Sequence, residues 1–124
     1  NPKSAPYGRA AFETLKKLGV WNQLKGRVVQ GENIGQTFQF IATGNAELGF
    51  VALSQVLDPK NKWPGSRWDV PSDLHDPIAQ ELVLLKHGDG NPAAIALINF
   101  IHSETARKII KRYGYQPAHL KKVN

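Results

Sequence analysis

Residues 31–35 read Gly-Glu-Asn-Ile-Gly and residues 5–8 read Ala-Pro-Tyr-Gly, and each set stands directly ahead of a run with helical apolar spacing. The chemistry open to such entrances belongs to the main chain. The first N–H groups of a helix have no intrahelical acceptor, and the positive end of the peptide dipole lies behind them, so they bind an oxyanion without a charged side chain. Gly8 and Gly35 would let another group approach the backbone closely. A plainer reading stands beside this one: the glycines suit turns, Asn33 is an ordinary N-cap, and helix starts are far commoner than anion sites.

Other chemistries find little support. The four histidines, at 75, 87, 102 and 119, include no pair at the i, i+4 spacing that lets two imidazoles share a metal on one helix face, so no metal site is expected. Cysteine is absent, which removes disulfides and thiolate chemistry. No Gly-x-Ser-x-Gly elbow accompanies Ser54 or Ser103. The Gly31–Gly35 stretch lacks both the Walker lysine and the full dinucleotide glycine fingerprint. The residues therefore predict a protein that is not an enzyme and carries no cofactor.

The chain has 124 residues, 41% hydrophobic, a net charge of +6 and a pI near 9.7. That length suits one small domain or one lobe of something larger. The positive charge raises the question of nucleic acid, but the basic residues come as scattered pairs, Lys16-Lys17, Lys111-Arg112 and Lys121-Lys122, without a Gly/aromatic signature between them. A solvated surface is the expectation, and no nucleic-acid partner. The longest apolar run, residues 93–101, is about half the roughly 18 residues of a membrane span. Residues 1–8 have no charged-then-apolar signal segment, so any export signal is expected upstream or already removed.

These entrances need elements to hold them. Ala10, Ala11, Phe12, Leu15 and Leu18 predict an amphipathic helix after Pro6, closed by Gly19, with a short helical turn at residues 20–26. Residues 27–30 read as a short strand, residues 34–43 as a helix ended by Gly44-Asn45, and residues 47–53 as a buried parallel strand. A proline-rich connection follows from 54 to 77, with at most one short strand at 67–70. Residues 81–88 restore a strand. Asn91-Pro92 opens a helix through 102, and Ser103 opens another that Gly114 stops. The alternation predicts an α/β fold.

With these residues placed, the sequence resembles the carboxy-terminal half of the periplasmic molybdate-binding proteins of ABC transporters. The segments that carry the resemblance are APYGRAAFETLKKLGVW, then GENIGQTFQFIATGNAELGFVALSQV, then TARKIIKRYGY, and together they run nearly the whole chain. PYGRAA, the GEN entrance with GNAELGFVALSQ behind it, and KRYGY are the most specific parts. The resemblance implies a type II periplasmic binding fold, two α/β lobes around a cleft that holds molybdate or tungstate by hydrogen bonds alone. Residues 1–82 would form most of one lobe and residues 83–124 the carboxy-terminal return to the other.

By the same resemblance, the matching positions put two backbone N–H donors on the anion, those of Tyr7 and Ile34, with Glu32 and Asn33 steering the loop and cap. Some members add a tyrosine hydroxyl where this chain has Ala52, which offers no such bond. The hydroxyl-bearing residues of the opposite lobe lie in the family's amino-terminal half, so these 124 residues alone are not expected to bind tightly. The implied role is the periplasmic solute-binding component of an importer, delivering the anion to a membrane permease. The implied alternatives are another anion such as sulfate or phosphate, for which Glu32 could serve as an acceptor, or a basic nucleic-acid-binding domain. The apolar stripes of the last two helices predict self-association or helix exchange if nothing else covers them.

Overall fold

The structure is a computed structural model, and it describes residues 1–63 and 65–117. Its helices, in chain order, are α1 (Pro6–Lys17), α2 (Trp21–Leu24), α3 (Ile34–Ala42), α4 (Leu53–Val56), α5 (Pro92–Ile101) and α6 (Glu104–Arg112), with 3-10 turns at Ser72–Leu74 and Lys86–Gly88. The chain divides into two compact units, Asn1–Ala79 and Gln80–Asn124.

In the first unit, α1 starts on Pro6, whose missing N–H costs nothing in a first turn. Ala10 and Thr14, one turn apart, are its buried residues, and the Thr14 hydroxyl donates to the Ala10 carbonyl at 2.8 Å, which satisfies a buried polar group locally. Gly19, at φ 73°, ends the helix in the left-handed conformation while its N–H reaches the Lys16 carbonyl and the Val20 N–H reaches that of Leu15. The reversal brings Trp21 edge-on to Phe12, with ring centroids 4.8 Å apart and planes at 85°, and the Lys16 ammonium lies 4.6 Å from the Phe12 centroid. Two polar ties hold residues 73–76 to α1: Lys17 Nζ donates to the Asp73 carbonyl at 2.7 Å, and the Asp76 N–H donates to Glu13 Oε2 at 2.8 Å.

In the second unit, α5 and α6 follow their expected cap chemistry. Asn91 Oδ1 accepts the Ala93 N–H at 3.0 Å ahead of Pro92, and Ser103 Oγ accepts the Ala106 N–H at 3.2 Å. Glu104 in the first turn of α6 and Lys111 and Arg112 in the last both complement the helix dipole.

The expected strands are corrected. Residues 27–30, 47–53, 67–70 and 81–88 form no strand, and no β-ladder occurs among the described residues. Leu53, expected in a strand, begins α4, and Lys86–Gly88 is a 3-10 turn. The physical reason is that a helix closes its hydrogen bonds within one segment, whereas a strand needs a neighbour in register, and a parallel pair needs a crossover of a dozen or more residues between its members. The α/β layer is therefore not formed by these residues, which are helical and irregular.

Burial follows the same pattern. Among the described residues the buried apolar ones are Ala10, Ala52 and Ala106, all small, while Val29, Leu48, Val83 and Leu85 are exposed. The accessible surface is 10,308 Å², against roughly 6,600 Å² for a folded monomer of this mass. Much apolar surface is thus left without cover.

The aromatic junction of Phe12 and Trp21 packs the second half of α1 against α2. Phe12→Ala should lower stability by about 2 kcal/mol, at the lower end for Phe truncation because the side chain is half-buried. Urea unfolding followed by Trp fluorescence checks this.

Candidate oxyanion site

The entrance to α3 is built from its own residues. Asn33 sits extended at φ −148°, ψ 171°, and its Oδ1 accepts the Gln36 N–H at 2.9 Å. Gln36 answers in reverse, its Oε1 accepting the Glu32 N–H at 2.7 Å, a reciprocal arrangement like a capping box displaced by one residue. Thr37 donates its hydroxyl to the Asn33 carbonyl at 3.1 Å. Gly31 is required by this fold-back: a Cβ there would stand 2.5 Å from Thr37 Oγ1 and 2.9 Å from the Thr37 nitrogen. Glu32 is exposed, and its backbone N–H is engaged by Gln36.

With Gln36 capped, Ile34 and Gly35 supply the first-turn N–H groups that have no intrahelical acceptor. Ile34 is half-buried and Gly35 exposed. No acidic residue stands in the first turn of α3 or of α1, so no carboxylate there offsets the positive end of either dipole.

Tyr7 is the second residue of α1, half-buried, directly after Pro6. Ala5 precedes it in extended conformation and makes no side-chain cap. The close approach that Gly8 permits is made by the chain itself, since a Cβ on Gly8 would lie 2.6–2.7 Å from the main chain of Asn1. The Asn1 carbonyl accepts the N–H groups of Ser4 and Ala5. A small recess of about 180 Å³ opens there, lined by Pro2, Lys3, Ser4, Ala5, Pro6 and Arg9. A larger open recess of about 380 Å³ is lined by Phe38, Gln55 and the loop from Asp58 to Trp63. Neither recess draws on both α1 and α3.

Ala52, where some members of the resembled family have tyrosine, is almost fully buried, and its N–H donates to Gln55 Oε1 at 3.0 Å. Gln55 Nε2 in turn donates to the Ile34 carbonyl at 3.1 Å. Sequence reading did not single out Gln55, because a glutamine 21 residues from Ile34 gives no local sign of touching it. Among the described residues no group of three His, Asp or Glu gathers as metal ligands, and no helix is long and apolar enough to cross a membrane. His119 and the Lys121-Lys122 pair lie outside the described residues.

Comparison with known proteins adds identity to this geometry. The family model described as "Bacterial extracellular solute-binding protein" matches residues 1–116. The chain is 52% identical over 115 residues to the molybdate-binding protein ModA of Azotobacter vinelandii, covering 93% of this chain and 46% of that protein. It is 50% identical over 115 residues to ModA of Rhodobacter capsulatus, covering 93% and 44%. A putative ABC transporter substrate-binding lipoprotein of Bacillus subtilis, YvgL, is 28% identical over 114 residues, covering 92% and 43%. The chain therefore spans about half the length of the curated relatives it matches.

Three substitutions test the entrance. Gly31→Ala should destabilise the fold by about 1–3 kcal/mol because Thr37 has to move, and Asn33→Ala by about 1 kcal/mol through loss of the cap. Both are read as shifts in thermal midpoint. Asn33→Gly, which costs only a few tenths at an N-cap, should remain close to the parent.

Proposed function

The chain belongs to the bacterial extracellular solute-binding protein family, and from that membership we propose that it is part of a component that captures molybdate or tungstate for an ABC importer. The observation that carries this reading is the identity of 52% and 50%, over 93% of this chain, to two proteins named for molybdate binding. In this reading the fold is the type II arrangement of two lobes, residues 1–82 giving most of one and residues 83–124 returning to the other. The N–H groups of Tyr7 and Ile34 are ligands to the anion. The protein works in the periplasm beside a membrane permease, needs no cofactor, and performs no catalysis: its chemistry is capture and release.

The donor set accounts for selectivity. Backbone N–H groups offer hydrogens and accept none, so a fully deprotonated tetrahedral dianion satisfies them, whereas phosphate keeps a proton near neutral pH and requires an acceptor. The first turns of α1 and α3 contain no carboxylate to provide one, and Glu32, which precedes the α3 cap, is exposed. Sulfate matches the donors but is smaller than molybdate, and loses in a cavity sized for the larger ion. The strand segments that find no partner among these residues, and the exposed Ile95, Leu97, Phe100 and Ile109 of α5 and α6, are surfaces that a second α/β half would cover. Left in water, such side chains forgo roughly 1.5–3 kcal/mol each, and the isolated 124 residues then associate with a second copy.

Titration calorimetry on the complete protein that carries this sequence should give micromolar or tighter affinity for molybdate and tungstate and much weaker binding of sulfate. Ile34→Pro removes one proposed donor at a position where proline is well tolerated, since it is the first residue of α3 and Asn33 is already extended. It should weaken molybdate binding about tenfold or more, the size of a charge-assisted hydrogen bond, while Ile34→Val leaves it unchanged. Equal loss in the two variants would assign the effect to the side chain and refute the amide donor.

A further inference from the structure

We propose that Gln55 is a positioning residue for this oxyanion site: its carboxamide holds the peptide between Ile34 and Gly35 so that the Gly35 N–H, next to the Ile34 donor in the first turn of α3, faces the anion. The inference rests on the reading of α3 given above and adds a residue distant in sequence that sets the direction of the donors.

Two hydrogen bonds determine the carboxamide's own orientation. Oε1 accepts the Ala52 N–H at 3.0 Å, and Nε2 donates to the Ile34 carbonyl at 3.1 Å. The opposite flip would set donor against donor at Ala52 and acceptor against acceptor at Ile34, so only one orientation satisfies both. The backbone returns a third bond, the Gln55 N–H donating to the Ala52 carbonyl at 3.0 Å, which fixes residues 52–55 as a unit. That unit is anchored, because Ala52 is buried and Gln55 is half-buried.

The consequence at α3 follows from peptide planarity. The Ile34 carbonyl and the Gly35 N–H belong to one rigid plane and point in opposite directions. A helix uses one lone pair of that carbonyl, and Gln55 takes a second direction on the same oxygen. Holding the oxygen therefore aims the Gly35 N–H away from the helix body, toward the open end of the first turn. Accepting a bond at the oxygen also polarises the same peptide and strengthens its N–H as a donor, by something like 10–30%. Gly35 protects the cap beside it: a Cβ there would press on Asn33 Oδ1, at 3.1 Å.

The test uses Gln55→Met, which keeps length and loses both polar atoms, and Gln55→Glu, which keeps an acceptor for Ala52 and replaces the donor to Ile34 with a carboxylate oxygen. Each is measured in the complete protein by calorimetry with molybdate, by thermal midpoint, and by amide hydrogen exchange without anion. The expected result is molybdate binding weakened about three- to tenfold, the range of one hydrogen bond, with exchange accelerated at Phe38, the residue whose N–H pairs with the Ile34 carbonyl inside α3, and unchanged in α1. For Gln55→Glu, the anion-free exchange separates loss of the donor from charge repulsion. If Ile34→Pro weakens binding and neither Gln55 variant does, the positioning role is overturned while the site stands. If exchange rises throughout the fold in step with a lowered midpoint, Gln55 is merely structural and the inference fails. If Ile34→Pro leaves binding intact, the site itself is refuted, and the role of Gln55 with it.

Discussion

Every backbone N–H and C=O taken from water needs a partner, and a helix finds nearly all of its partners inside one segment while a strand finds none. In this chain the consequence is direct. Each long helix closes its own bonds and finishes its ends with its own residues: Asn33, Asn91 and Ser103 at three starts, and Gly19, Gly44 and Gly114 at the stops. The apolar segments between them have no such recourse. Leu82, Val83 and Leu85 stand exposed, without the neighbour that would make them a strand. The two ModA relatives are about twice this length.

The same rule underlies the proposed site. A helix start is the one place where regular structure leaves N–H groups over, and a start without acidic residues leaves them electrostatically open to an anion. At α3 the neighbouring residues fill the donors that would otherwise compete: Gln36 takes the Glu32 N–H, Asn33 takes that of Gln36, and the Ile34 and Gly35 amides remain. Gly31 is small because Thr37 lies against it, so the glycine that looks like turn punctuation is a steric requirement of the cap. The loop, the cap and the donor pair form one device.

The positive charge has a local account as well. Lys16 and Lys17 close α1, and Lys111 and Arg112 close α6, positions where cations meet the negative end of the dipole. Lys16 also lies over the Phe12 ring and Lys17 reaches the Asp73 carbonyl. Such residues are spread over helix ends, whereas a phosphate-tracking surface needs them on one face.

Local chemistry was legible from the residues alone. The N-cap at Asn33, the proline starts at Pro6 and Pro92, the glycine stops, and the two amide-bearing entrances are short-range features, and the structure forms the helices they predict. Family membership was legible too, because PYGRAA, GEN and KRYGY are contiguous motifs. The expected strands at 27–30, 47–53, 67–70 and 81–88 did not form, since strand propensity has effect only where a partner lies in register. The contact between Gln55 and the Ile34 carbonyl was equally out of reach of pattern. Its two residues are joined by a turn and a buried alanine rather than by any periodicity. Propensity, capping and motif identity thus belong to the sequence, while pairing across distance, such as that of Gln55 with the Ile34 carbonyl, was decided only when the chain folded back on itself.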